Sequence, residues 1–160
     1  MRSIRRCGPS VALRFEVPER MTTPCPGRAS MNAPAKTNPA KIQPLPFSAC
    51  CGRYLDDFDH QPAPDAEALM RSRYSAFVFQ RADYLLATWH ASTRPAALDF
   101  APGAKWLGLE VRSRRLLDAD HAEVEFIARC REAGRATRLH ERSRFVRESG
   151  RWFYVDGDQF

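Results

Sequence analysis

Glu141 stands in the run Leu139-His140-Glu141-Arg142-Ser143-Arg144-Phe145, where strand alternation puts it on the same face as Leu139 and Phe145. A carboxylate on an apolar face is either paired or set in a pocket, because burying it alone is too costly. Its functional reading is a general base or an anchor for a polar ligand. Its structural reading is an ion pair with Arg71 or Arg73, or a one-residue bulge that turns it outward. Structural pairing is the commoner fate of such a group and carries more weight. His90 follows a short helical stretch, where an imidazole interacts favourably with the last carbonyls. Acting as an acid or base would require a carboxylate neighbour. Tyr74 and Trp89 are amphipathic aromatics fit to line a pocket mouth, and a buried Tyr74 hydroxyl needs a partner. His140 shares a face with Arg138, Arg142 and Arg144, a row that suits either an anion or cross-strand pairing with Glu123 and Glu125. Adjacent Cys50 and Cys51 are two soft ligands, and Cys130 sits at an apolar alternation position as an inert thiol. The chain carries no nucleophile elbow, phosphate loop or metal-ligand helix.

The elements that must position these residues begin at Pro64. Asp65 is an N-cap candidate and Glu67 complements the first turn. Leu69, Met70, Tyr74, Phe77 and Val78 form one helical stripe, with Arg71, Ser72, Ser75 and Arg81 on the other side. Asp83 is expected to cap a second short helix carrying Leu85, Leu86 and Trp89. Beyond Gly103 the period becomes two. Leu107, Leu109 and Val111 share a face, as do Val124, Phe126, Ala128 and Cys130, then Leu139, Glu141, Ser143 and Phe145. Turns at Asp118-Ala119-Asp120, Ala133-Gly134 and Ser149-Gly150 make hairpins, and Trp152-Phe153-Tyr154-Val155 closes the sheet. The fold class is therefore α+β: two N-terminal helices packed on a curved, four-stranded antiparallel meander, a cone with a pocket between helices and sheet.

Charge and composition divide the 160 residues. Ten of the twelve prolines precede Asp65. Residues 1–46 show no sustained period and are expected to be a disordered tail. Met31-Asn32-Ala33-Pro34 reads as a natural start, with residues 1–30 an over-extended gene start. The net charge of +6 lies in the tail, and residues 65–160 hold sixteen Lys/Arg against fourteen Asp/Glu. That balance argues against nucleic-acid binding by the domain. No apolar run approaches the ~20 residues of a membrane span, and no secretory h-region follows the basic start, so a cytoplasmic protein is expected. Five irregularly spaced cysteines do not form a disulfide framework.

Four ordered blocks resemble the bacterial YchJ-like uncharacterised family. They are Ala66-Glu67-Ala68-Leu69-Met70-Arg71-Ser72-Arg73-Tyr74-Ser75-Ala76-Phe77, Tyr84-Leu85-Leu86-Ala87-Thr88-Trp89-His90, Leu139-His140-Glu141-Arg142-Ser143-Arg144-Phe145 and Trp152-Phe153-Tyr154-Val155-Asp156-Gly157. The resemblance spans about residues 47–158 and implies a nuclear-transport-factor-2-like, or cystatin-like, domain over 64–158. That superfamily contains isomerases, dehydratases and binding modules, so fold does not select a function. The family also implies an N-terminal SEC-C motif, Cys-Pro-Cys-Gly-Ser-Gly followed by Cys-Cys-Gly, whose four soft ligands would suit zinc. Here Phe47-Ser48-Ala49-Cys50-Cys51-Gly52 resembles the second half, and residues 47–63 read as a remnant. The first Cys pair is absent from the stretch before it, and Cys25 and His60 lack suitable spacing, so no zinc is expected.

The functional expectation is a small binding or accessory module with a partly apolar pocket formed by Tyr74, Trp89 and Glu141. Its partner would be an unknown small molecule or protein, with no nucleic acid and no membrane, and the open sheet face leaves room for a homodimer. The alternatives are a small lyase or isomerase with Glu141 as base and Tyr74 or His90 as polarising group, and an interaction adaptor with a vestigial zinc motif.

Overall fold

The structure is a computed structural model and describes residues 25–28 and 45–160. Three α-helices precede the sheet: α1 (Gly52–Asp56), α2 (Ala66–Val78) and α3 (Ala82–Ala87). Two 3-10 turns, Pro26–Arg28 and Phe47–Ala49, pack beside them. Four strands follow, β1 (Lys105–Leu116), β2 (His121–Glu132), β3 (Arg135–Glu148) and β4 (Arg151–Gln159), in the order β1-β2-β3-β4 with every neighbour antiparallel. The expected helices-then-meander arrangement is the observed one. Among the described residues no helix is long and apolar enough to cross a membrane.

Local chemistry explains the boundaries. The Asp65 carboxylate accepts the backbone N–H of Ala68 at 2.7 Å and starts α2. At the β2–β3 and β3–β4 hairpins the two linking residues both have positive φ, Ala133 and Gly134 at 47° and 79°, Ser149 and Gly150 at 49° and 77°. That left-handed pair matches strand twist and fixes register. The outer edge of β4 is also occupied. Tyr154 N–H donates to the Thr88 carbonyl (2.9 Å), and His90 N–H to the Tyr154 carbonyl (2.7 Å). This pairing straps the end of α3 to the sheet.

Several expectations need correction. Ser72 and Ser75, assigned to the solvent side of α2, are fully buried. A second layer covers that side: Ser72 Oγ meets the Tyr84 hydroxyl at 2.7 Å, and Ser75 Oγ accepts the Gly27 N–H at 3.1 Å. The tail expected over 1–46 is interrupted, because Cys25 is buried and residues 25–28 pack on α2. Leu45 is held too, its carbonyl accepting the Cys25 N–H at 3.1 Å, and residues 1–24 and 29–44, including the start at Met31, lie outside the described residues. Asp83 does not cap α3; Arg81 is the N-cap, and Asp83 in the first turn holds its guanidinium at 3.0 Å. Leu107 is 44% exposed rather than inward, because the β1 register shifts between Trp106 and Gly108. That bulge turns Trp106, not Leu107, towards the helices.

Candidate functional site

The concave face of the sheet and α2 enclose a cavity of about 410 Å³. Its wall is largely apolar, with Met70, Phe77, Phe100, Trp106, Phe126 and Phe145 contributing. The Tyr74 ring lies edge-on to Trp106, centroids 5.4 Å apart. Its hydroxyl bonds to the backbone of Gly108, and burial pushes its pKa up to about 12. Tyr74 therefore lines the cavity.

Glu141 also faces inward and is 4% exposed. Its partners are not the arginines expected for a structural pair. Oε1 accepts the Ser143 hydroxyl at 2.7 Å and the Tyr154 hydroxyl at 3.3 Å, and Oε2 has Gln159 Nε2 at 3.5 Å. Arg71 instead pairs with Glu67 at 2.8 Å and donates to the Gly27 carbonyl. Strand β4 must come close for this arrangement. A Cβ on Gly157 would collide with the Glu141 carboxylate, so any larger residue there would have to displace that side chain. The acid is thus held by a short hydroxyl donor from its own face and a longer one from β4.

Arg73 is the second polar feature of the wall, at 5% exposure. Its Nη1 donates to the Leu85 carbonyl (2.8 Å) and to Thr88 Oγ1 (2.7 Å). Its Cζ lies 4.6 Å from the Tyr154 ring centroid and 5.1 Å from that of Trp89. Burial lowers its pKa to about 10, and the nearby Tyr154 and Glu141 oppose that shift. At neutral pH the group stays a cation. It makes no ion pair with Glu141. Burial also raises Tyr154 above the ordinary phenol range, helped by the Glu141 charge.

Sequence reasoning placed Trp89 on the pocket and His90 among the candidate acids. Neither lines the cavity. Trp89 sits behind it, edge-on to Tyr154 with centroids 5.0 Å apart. His90 is on the outside, with Nε2 3.1 Å from Glu148 and Nδ1 2.6 Å from Ser92. The residues missed were Arg73, read only as a pair for Glu141, and Tyr154, read only as part of the closing strand. An arginine at the centre of an apolar helical stripe was the available signal. His140 and Arg142 both bond Glu125, at 2.8 and 3.2 Å, so cross-strand pairing holds the middle of that row, while Arg138 lines the cavity. Glu123 pairs with Arg115 instead, and Arg144 with Asp156 and Asp158.

A second cluster lies apart from the cavity. The ligand atoms of Cys25, Cys50 and Cys51 are all within 4.8 Å of one another, and all three residues are buried. Cys25 had been set aside on spacing; the fold corrects that, because contact does not depend on separation along the chain. A hydrogen bond from Cys51 holds the Cys25 thiol below the ordinary range, and the same contact, with burial, pushes Cys51 up. The trio is a soft donor set of the kind zinc takes. It supplies three of the four ligands of a closed structural site, and no fourth Cys, His or acid joins it among the described residues. Gly27 lies two residues past Cys25, where the Cys-Pro-Cys motif has its second cysteine. A Cβ there would stand 2.5 Å from the Arg71 carbonyl and 2.9 Å from Cys51 Sγ.

Helices packed on a four-stranded antiparallel meander, with a cavity between them, are consistent with a nuclear-transport-factor-2-like domain. The family described as YchJ, middle NTF2-like domain, matches residues 65–157, and the chain belongs to that family. It is 82% identical over 141 residues to a UPF0225 protein of Polaromonas naphthalenivorans, covering 88% of this chain and all of that one. A UPF0225 protein of Bordetella pertussis is 57% identical over 117 residues, 72% of this chain and 88% of that one. Two solved structures are similar, each 31% identical. One is the solution structure of a SEC-C motif containing protein from Rhodopseudomonas palustris, with TM-score 0.65 over 74% of this chain and 94% of that one. The other is the crystal structure of a SEC-C motif containing protein from Psychrobacter arcticus, with TM-score 0.67 over 86% and 82%.

Proposed function

We propose that this protein is a small-molecule binding module whose cone cavity is the binding site. The observation that carries this reading is the cavity itself: about 410 Å³, mostly apolar, with a buried cation and a buried anion that do not touch. A pocket of a few hundred Å³ with few convergent polar groups is the usual form of a ligand site. Glu141 is better placed as an anchor than as a base, since both hydroxyls that reach Oε1 donate to it. A ligand-stabilisation screen by thermal shift tests the reading. A hit whose shift is lost on Phe126→Trp, which fills the cavity, supports it; a broad screen with no hit overturns it. The domain's near balance of charge supports a partner other than nucleic acid. A cytoplasmic location belongs to the same proposal and is checked by fractionating native cells.

Two rivals each have one observation behind them. The 3.3 Å contact between the Tyr154 hydroxyl and Glu141 is an acid–base pair within reach of a substrate, which is what a small lyase or isomerase would need. Turnover of a bound hit, lost in Glu141→Gln, would convert the module into that enzyme. The cysteine trio supports an adaptor in which zinc clips residues 25–28 to the start of α1. Cys25, Cys50 and Cys51 would hold the metal, which would contribute folding energy rather than catalysis. Elemental analysis of purified protein decides this: stoichiometric zinc supports the adaptor, and none removes it.

A further inference from the structure

Two buried charges of opposite sign, Arg73 and Glu141, line the cavity, with the exposed Arg138 also on its wall. Among the described residues only Nη1 of Arg73 has hydrogen-bond partners. No buried side-chain nitrogen or oxygen among the described residues lacks a partner, so Nε and Nη2, which have none there, are not sealed off, and Arg73 lines the cavity. Nε–H and Nη2–H are parallel donors along one edge of a guanidinium, the fork that fits a carboxylate. Tyr154 links this fork to the acid: Arg73 stacks on its ring, and its hydroxyl reaches Glu141 Oε1. Glu141 Oε2 has only the long contact from Gln159, so it keeps acceptor capacity.

We propose, on the binding-module reading above, that the cavity takes a small organic acid with an apolar body and an O–H or N–H donor beside its carboxylate. The carboxylate lies on Nε and Nη2 of Arg73, the donor reaches Glu141 Oε2, and the body packs against Phe77, Phe100, Trp106 and Phe126. Aromatic α-hydroxy acids and α-amino acids share this chemistry. A plain carboxylate would set its charge near Glu141 with no donor between them. An amine without an acid group would meet Arg73 as a like charge. A neutral apolar molecule would strip water from both buried charges without replacing its hydrogen bonds.

Isothermal titration of the full chain with four matched probes tests the assignment: phenyllactate, phenylalanine, 3-phenylpropionate (no donor) and 2-phenylethanol (no carboxylate). Phenyllactate or phenylalanine is expected to bind, with 2-phenylethanol at least about tenfold weaker, the scale of one lost charge-assisted contact. The propionate is expected to be weaker by a smaller factor. Glu141→Gln should weaken phenylalanine more than phenyllactate, since an ammonium needs the negative charge and a hydroxyl does not. Arg73→Lys, which keeps the charge and loses the fork, should weaken both. The probe series on the unaltered protein keeps the test valid if either variant fails to fold. Equal affinity for 2-phenylethanol overturns the acid class and leaves the binding module standing. Equal affinity for 3-phenylpropionate overturns the role given to Glu141. No binding by any of the four at millimolar concentration overturns the proposal, and the module falls with it only if the broad screen is also blank.

Discussion

At the scale of single residues, the site depends on a glycine that carries no chemistry. Gly157 leaves the space in which the Glu141 carboxylate sits against β4. Gly157→Ala is therefore expected to destabilise the protein by roughly 1–3 kcal/mol, as overpacking does. Most of that cost should vanish in a Glu141→Ala background, where the colliding carboxylate is gone. A double-mutant cycle by urea denaturation measures this, and additive costs would show that the contact is not the cause. The face occupied by Glu141 was legible in Leu139-His140-Glu141-Arg142-Ser143, because alternation with period two is a local property. Its partners were not. Ser143 lies two residues away, but Tyr154 and Gln159 arrive from another strand.

At the scale of elements, caps and turns are the accessible levers. Asp65→Ala removes the only side-chain cap of α2 and is expected to cost about 1 kcal/mol, read as a lower urea midpoint with unchanged slope. Ala133 holds φ of 47° at the β2–β3 turn, a conformation that asparagine tolerates better. Ala133→Asn is expected to raise stability by roughly 0.5–1 kcal/mol, a fraction of the left-handed penalty on a Cβ residue; an unchanged or lower melting temperature would count against the turn assignment. The turn itself could be read from Ala133-Gly134. The bulge in β1 could not, since Leu107-Gly108-Leu109 alternates well on paper. Only pairing with β2 shows that the register slips there and brings Trp106 inward.

At the scale of the whole molecule, three of the four buried tyrosines make a prediction about alkali. Tyr74, Tyr84 and Tyr154 all have raised pKa values, each chiefly because burial penalises the phenolate. A raised folded pKa contributes stability that is complete below the unfolded value near 10 and is lost as pH rises through the folded value. Stability is thus expected to hold up to about pH 10 and fall between there and about pH 12, the value for Tyr74. Unfolding midpoints followed with phenolate absorbance would show both changes together. Phenolates titrating normally in the folded protein would refute the burial. Tyr74→Phe should blunt the loss.

The sequence alone determined the order of α2, α3 and the four strands, though not α1, the inward face of β2 and β3, and the candidacy of Glu141 and Tyr74, because period, caps and turn residues act over a few positions. Tertiary structure alone decided which groups meet. It set Arg73 and Tyr154 against the cavity, moved Trp89 behind it and His90 outside it, and closed Cys25 onto Cys50 and Cys51. The physical reason is that long-range contacts depend on how layers close over one another. The same serine or cysteine is a surface residue or a buried one according to what another segment lays across it.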